Sequence, residues 1–186
     1  MKRKILYCLF SFIILTSCSL NQDSKDRFEF DIPKLKEYYD PLMKDAQKWS
    51  PDAYLYFVDI PFGERIPWLL SASFYSPTKN DESLQVILDL QSKLVSRRFS
   101  LPDVLQKEPI LLSQWEIDSQ DALSILISYD TVSMDVITNL CGSLVLRRES
   151  TLPNRPLVWV LYYHECGWLF TEHLYLDPIS GQVIEP

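Results

Sequence analysis

Two histidines, His164 and His173, are the residues of this chain whose neighbours most resemble a metal site. Each lies beside a glutamate, Glu165 and Glu172 respectively, and Cys166 is two residues from the first histidine. Imidazole, thiolate and carboxylate groups all ligate Zn²⁺. However, successive side chains of a strand point to opposite faces, so His164 and Glu165 cannot both reach one ion. Polar residues around a hairpin turn explain the cluster, and we expect no metal site and no cofactor.

The residues of covalent or hydrolytic catalysis are not arranged in a recognisable motif either. The chain has no Gly-x-Ser-x-Gly motif, and its four glycines do not form a phosphate-binding loop. His164 and Cys166 could form a nucleophilic pair, but a disulfide at Cys166 would remove the thiolate. No spacing singles out a catalytic pair among the 25 acidic residues. The sequence therefore predicts a protein that is not an enzyme.

The first eighteen residues have the pattern of a bacterial lipoprotein signal. Basic residues at positions 2–4 precede an uncharged apolar run over 5–15, which is shorter than the ~20 residues that span a bilayer. The following Leu-Thr-Ser-Cys resembles a lipobox, in which a peptidase cuts before the cysteine and the thiol takes a diacylglycerol. We expect removal of residues 1–17, lipidation of Cys18, a polar tether over 18–30, and a membrane-anchored protein on the extracytoplasmic side of the cell envelope. An uncleaved membrane anchor is the alternative.

Two cysteines, Cys141 and Cys166, remain in the predicted mature chain. Two leftover cysteines in an exported protein favour a disulfide. Both lie in segments of strand composition that flank a turn-rich stretch. A hairpin centred between Pro153 and Asn154 places them opposite each other, with Cβ atoms ~4.5–5.5 Å apart. We expect a disulfide, and two reduced thiols are the alternative if a one-residue bulge separates the pair.

The charge of the chain argues against a nucleic-acid partner. The net charge is −7, and removal of residues 1–17, which hold three basic residues and no acid, makes it −10. An acidic surface repels phosphate backbones, and no stripe of basic and aromatic residues is present.

Hydrophobic periodicity divides the rest of the chain into two cycles, each a helix followed by strands. In the first cycle, Asp31 is a helix cap, Pro33 lies in the first turn, and apolar residues recur at three- and four-residue spacing to Trp49. Pro41 either kinks this helix or starts a second one. In the second cycle, the Asp118-Ser-Gln-Asp121 segment is similar to a capping box. Aromatic and β-branched runs predict antiparallel strands over 53–60, 67–75, 84–90, 94–99, 132–137, 140–148, 157–166, 169–176 and 182–184.

The two cycles also match each other in sequence. Leu88-Asp-Leu-Gln-Ser-Lys-Leu-Val95 aligns with Leu176-Asp-Pro-Ile-Ser-Gly-Gln-Val183. In both segments the Asp and Ser side chains can hold a turn between two strands. We predict an α+β fold of two tandem repeats, each a helix on an antiparallel sheet, over 31–112 and 113–186.

Several of these segments resemble the PepSY and PepSY-like proteins of bacterial envelopes. The resemblance lies in the helix 42–49 with the following 51–55, in 115–122, and in the terminal 175–184 with its Asp-x-x-Ser-Gly-x-Val turn. Lys93 stands where the family pattern has glycine in the first repeat. The resemblance implies a PepSY-like or cystatin-like fold and an extracytoplasmic interaction module, in some members proposed to inhibit peptidases. It implies no catalytic residues.

Aromatic residues are the remaining candidates for a site. Trp68 and Trp159 occupy matching positions of the two cycles, which favours packing. Alternation places some aromatic side chains on the outer face of a hairpin, where they could bind a partner. These candidates are Tyr162, Tyr163, Trp168 and Phe170.

We therefore expect a lipid-anchored, non-enzymatic module that binds a protein or peptide through a sheet edge or outer face. Inhibition of a secreted peptidase is the first alternative. Carriage of a small molecule or metal in a groove between the halves is the second.

Overall fold

The computed structural model describes residues 32–63, 69–100, 108–129, 140–165 and 172–184, with the side chains of 140, 141, 164, 165 and 172 left out. Two helices and eight strands are present in these ranges. They are α1 (Leu35–Trp49), β1 (Tyr54–Phe62), β2 (Leu69–Tyr75), β3 (Ser83–Asp89), β4 (Val95–Ser100), α2 (Ser119–Tyr129), β5 (Leu140–Arg148), β6 (Leu157–Glu165), β7 (Glu172–Leu176) and β8 (Val183–Ile184). Short 3-10 turns occupy Pro77–Lys79 and Leu112–Gln114.

All eight strands belong to one antiparallel sheet with the order β4-β3-β2-β1-β5-β6-β7-β8. The strands β1 to β4 form one meander and β5 to β8 form another, and the two meanders join where β1 pairs with β5. At this junction Ile60 lies opposite Leu144. The strands β4 and β8 are the two edges of the described sheet.

The predicted fold class, two tandem helix-on-sheet units of PepSY-like or cystatin-like type, is wrong. The structure has one mainly β architecture with a single eight-stranded sheet and two helices among the described residues. Both helices pack on the same side of this sheet and share one apolar core, whose members include Leu42 of α1 and Leu126 of α2. Alternation predicts which side chains share a face, but it does not predict that β1 takes β5 as its neighbour.

The stripe of apolar residues predicted for the first helix is confirmed by its buried face, which includes Leu35, Leu42 and Ala46. The helix is continuous through Pro41, which is exposed. Its start differs from the prediction, because Pro33 precedes the helix and the side chain of Lys34 does not cap it. Asp31 lies outside the described residues.

The two Asp-x-x-Ser turns have the predicted hydrogen bonds. Asp89 Oδ1 accepts from the backbone N–H groups of Gln91 (2.9 Å) and Ser92 (3.1 Å). In the second turn, Asp177 Oδ1 accepts from Ile179 at 2.8 Å and Ser180 at 2.7 Å. Lys93, which stands where the second turn has Gly181, has a φ of 57°, and Gly181 has a φ of 72°. The same turn therefore joins β3 to β4 and β7 to β8, although one copy places a non-glycine residue in the left-handed region.

Predicted strand positions agree with the structure over most of the described chain. The segment 132–137 lies outside the described residues. Trp159 is fully buried, as its packing role requires, and its indole N–H donates to the carbonyl of Ile117 at 2.9 Å. Trp68 lies outside the described residues.

Candidate binding face

Strand alternation gives the sheet a second face that carries no helix in the described ranges. In β1, Val58 and Ile60 join the core beneath the helices, so Phe57 and Asp59 point the opposite way. The paired residues of neighbouring strands continue this surface, which we call the helix-free face. It comprises Phe57, Asp59, Ser71, Ser73, Gln85, Ile87, Ser143, Val145, Arg147, Val158, Val160, Tyr162, His173, Tyr175 and Ile184.

The half of this face formed by β5 to β8 is apolar and aromatic. Val145, Val158, Val160 and Tyr175 are 0–4% exposed and form a cluster of their own. The ring of Tyr162, partly exposed, lies 6.2 Å from the imidazole of the exposed His173, centroid to centroid. Small valines packed between aromatic rings therefore form a rigid platform with polar ring atoms at its surface.

An ion pair borders the platform at the turn between β5 and β6. The guanidinium of Arg147 donates to Glu149 Oε2 at 2.6 and 3.2 Å and lies 5.4 Å from the Tyr162 ring. Glu149 is 2% exposed, and its Oε1 accepts from the backbone and hydroxyl groups of Thr151. Burial acts to raise the pKa of Glu149, but the hydrogen bonds from Thr151 and Arg147 outweigh it and hold the pKa below its usual range. The pair therefore orients Arg147 across the tyrosine.

Asp59 lies at the centre of the sheet, between Ser71 of β2 and Val145 of β5. Burial raises the pKa of its carboxyl group, and a hydrogen bond with the Ser143 side chain opposes this in part. The Oδ1 atom is buried and has no hydrogen-bond partner among the described residues. Ser71, its cross-strand neighbour, instead accepts from Gln85 Nε2 at 2.8 Å. This oxygen is an unsatisfied acceptor, and because it is buried, a donor from a partner reaches it only when neighbouring side chains move aside.

The predicted binding residues do not all share this surface. Tyr162 lies on the helix-free face, whereas Tyr163 points to the opposite side and is 7% exposed within the core. Trp168 and Phe170 lie outside the described residues, as does the predicted lipidation site Cys18.

The hairpin register that supported the disulfide prediction is wrong by two residues. Cys141 lies opposite His164 in the β5–β6 ladder, not opposite Cys166. The turn contains Asn154 and Arg155 with positive φ, and it is centred one residue earlier than predicted. Cys166 lies outside the described residues, so the disulfide itself stays a prediction.

Asp59 is the residue of this face that sequence reasoning missed. The available signal was one charged residue between Val58 and Ile60, within a strand of otherwise apolar and aromatic character. Such a residue is rare in a central strand unless it has a partner.

Neither a metal cluster nor a membrane-spanning helix is found in the ranges that the structure describes. No three His, Cys, Asp or Glu side chains lie close enough there to hold an ion. No helix there is long and apolar enough to cross a bilayer.

Comparison with known proteins gives no relative. No family model, no curated protein and no solved structure matches this chain.

Proposed function

We propose that this chain is a non-enzymatic, lipid-anchored binding protein of the cell envelope, and that its helix-free face binds a basic segment of a protein partner. The anchor rests on the lipobox-like sequence that ends at Cys18. The observation that carries the proposal is Asp59, a buried acceptor at the centre of a face that neither helix covers.

The chemistry of Asp59 indicates the partner group. A buried acceptor without a donor costs about 1–3 kcal/mol, and a bound partner that supplies a donor recovers this free energy. A lysine or arginine side chain also compensates the charge of the carboxylate, whose ionisation burial opposes. The net charge of −7, which becomes −10 when residues 1–17 are removed, attracts a basic segment over a longer range.

On the half of the face formed by β5 to β8, the partly exposed Tyr162 and the exposed His173 supply the contact area, above valines that are already buried. Tyrosine side chains that are held rigid by their neighbours lose little entropy on binding and are frequent binding hot spots. Tyr162 is held by Arg147 on one side and contacts His173 on the other. A basic residue at Asp59 and an apolar residue beside Tyr162 are therefore the two anchors expected of the partner.

The test is photo-crosslinking in the cells that produce the protein. A photoreactive amino acid at His173 samples the helix-free face, and the same residue at Gln47, exposed on α1, is the matched control. We expect a discrete adduct from position 173 and none from position 47. Asp59→Asn in the position-173 background should reduce the adduct about tenfold, because the charge-assisted hydrogen bond is lost.

Two results would overturn the proposal. One is an absence of adducts from position 173 under conditions where the protein is present at its normal level. The other is an equal yield of the same adduct from positions 173 and 47, which would show contact without a preferred face.

A further inference from the structure

The edge strand β4 differs from the rest of the sheet in its exposure. Every residue from Gln91 to Ser100 is exposed. Three of them are large apolar side chains, Leu94 at 69%, Val95 at 46% and Phe99 at 58%. An exposed apolar edge whose outward backbone groups face no other strand among the described residues is a surface on which another strand can pair. The opposite edge, β8, is two residues long and offers much less.

The backbone of β4 presents a defined set of donors and acceptors. The amide of Asp89 donates to the carbonyl of Leu94, the residue before β4, at 2.9 Å. The ladder pairs Leu88 with Val95, so continuing its register by one residue places Asp89 opposite Leu94. Hydrogen-bonded pairs alternate along an antiparallel ladder, so Ser96, Arg98 and Ser100 turn their N–H and C=O groups toward β3. The groups of Val95, Arg97 and Phe99 therefore point to the outer side of the sheet.

We propose that β4 pairs antiparallel with β4 of a second copy of this chain, in a twofold register with Arg97 opposite Arg97 of that copy. In this register the outward N–H and C=O groups of Val95, Arg97 and Phe99 all form hydrogen bonds with the other copy. It places each Val95 opposite a Phe99, an aromatic and β-branched pair of the kind that stabilises cross-strand contacts. Shifting the axis by one residue in either direction loses the Val95–Phe99 pairs and leaves an outward group unpaired.

The charges near the axis are compatible with this arrangement. Two arginines opposite each other would repel, but Arg97 donates through Nε and Nη2 to both carboxylate oxygens of Asp45 on α1. The axis therefore carries two guanidinium groups and two carboxylates, with no net charge. On the helix-free side, the same register places Arg98 opposite Ser96, which avoids a second arginine pair.

The helix layer continues the contact beyond the strands. Phe99 lies beside the Trp49 ring, with centroids 6.3 Å apart, at the C-terminal end of α1. In the dimer, the second copy covers the exposed ring of Phe99. Three residue pairs bury less area than the ~1,000 Å² typical of a stable interface, so we expect a weak dimer that forms as concentration rises. Anchoring on a membrane would raise the local concentration and favour it further.

The experiment is a charge swap read out by the mass of the full chain in detergent solution. Val95→Lys or Phe99→Glu alone should raise the dimer dissociation constant about tenfold, because each places a charge opposite an apolar residue at two symmetric sites. The double variant should recover dimerisation, since the introduced lysine of each copy then faces the introduced glutamate of the other. Residues 95 and 99 of one strand are ~13 Å apart, too far to pair within a chain. Leu111→Lys, at an equally exposed apolar position away from β4, is the control and should dimerise normally.

Three outcomes would overturn the inference. The first is a monomer at every concentration up to about 100 µM. The second is a dimer that both single variants leave intact, which places the contact elsewhere. The third is a folded double variant that stays as weak as the single ones, which contradicts the register. Circular dichroism shows whether each variant folds. The inference concerns β4 and is independent of partner binding at Asp59.

Discussion

The backbone N–H of Leu35, the first residue of α1, donates to the hydroxyl of Ser119, the first residue of α2, at 3.0 Å. The two residues are 84 positions apart. The Ser119 hydroxyl also donates to the carbonyl of Pro33, and the Asp118 carboxylate accepts from the Lys36 amide at 3.3 and 3.4 Å. The start of α1 is thus capped by side chains from the start of α2. Because both helices sit on one sheet, this contact fixes their relative position at one end.

Ser119→Ala should therefore destabilise the whole fold, not α2 alone. Loss of a capping side chain costs about 1–2 kcal/mol. We expect a decrease of about this size in the free energy of unfolding, measured by urea denaturation. Ser128→Ala, which removes an exposed hydroxyl near the other end of α2, should change it by less than about 0.5 kcal/mol. If the two substitutions lower the free energy of unfolding equally, the contact between the two helix starts does not contribute to stability.

This contact marks the boundary of what the sequence predicts. The sequence predicts that Asp118 caps its own helix in a capping box with Asp121, and this prediction depends on local spacing alone. Nothing in local spacing indicates that Ser119 also reaches Leu35, since capping is recognised within four residues and this contact spans the chain. The same reason explains the fold-class error, because β1 and β5 become neighbours through long-range pairing.

Local features were predicted more successfully. The buried stripe of α1 and the Asp-x-x-Ser turns follow from side-chain spacing and turn chemistry, which act within a few residues. On the candidate face, alternation predicts that Tyr162 and Tyr163 point to opposite sides of the sheet, but it does not predict which side the helices cover. The buried state of Asp59 depends on neighbours from β2 and β5, so it requires the sheet order.

Gly142 tests the packing at the junction of the two meanders. A Cβ at this position would clash with the backbone carbonyl oxygen of Tyr162 and come within 2.7 Å of the Phe62 ring. The carbonyl belongs to the β5–β6 ladder and cannot move without breaking it. Gly142→Ala should cost about 3 kcal/mol in unfolding free energy, measured by urea denaturation. Ser96→Ala on the exposed β4 is the control, and a Gly142→Ala protein as stable as that control would refute the close contact.

Glu149 should make stability depend on acid pH. Its pKa is lower in the folded state, so its ionised form stabilises the protein fully above the unfolded value of ~4.3. This stabilisation is lost as the pH falls through the folded pKa. At pH 7, Glu149→Gln should lower the free energy of unfolding by about 2 kcal/mol, because the charge-assisted hydrogen bonds from Arg147 and Thr151 weaken. The difference in unfolding free energy between this variant and the wild type should become smaller as the pH falls below about 4, because Glu149 of the wild type is then protonated.

The control for this substitution is Glu108→Gln. Glu108 contacts Arg148 at 3.1 Å but is 60% exposed, and exposed ion pairs contribute about 0–1 kcal/mol. A Glu149→Gln protein whose deficit is the same at pH 7 and at pH 2 would contradict the assignment of the effect to the charge.

The lipid anchor is tested at Cys18. Cys18→Ala should abolish labelling with a radioactive fatty acid and leave the chain at precursor size, because the thiol that accepts the lipid is gone. The fold of the body should not change. Cys8→Ala, within the predicted signal, should be labelled and processed normally. A labelled protein of mature size from the Cys18→Ala gene would exclude this cysteine as the lipidation site.

Asp59 should show the opposite pH dependence to Glu149. Burial raises its pKa, so the folded state binds the proton more tightly than the unfolded state, whose value is ~3.9. Stability then falls as the pH rises from that value to the raised folded pKa. Asp59→Asn has no such proton to lose, so its unfolding midpoint in urea relative to the wild type should be higher at pH 7 than at pH 3. A relative midpoint that does not change between these two pH values would contradict the raised pKa. The same substitution should weaken the crosslink at position 173. A variant that is more stable at pH 7 but captures less partner would show that the buried carboxylate serves binding at the expense of stability.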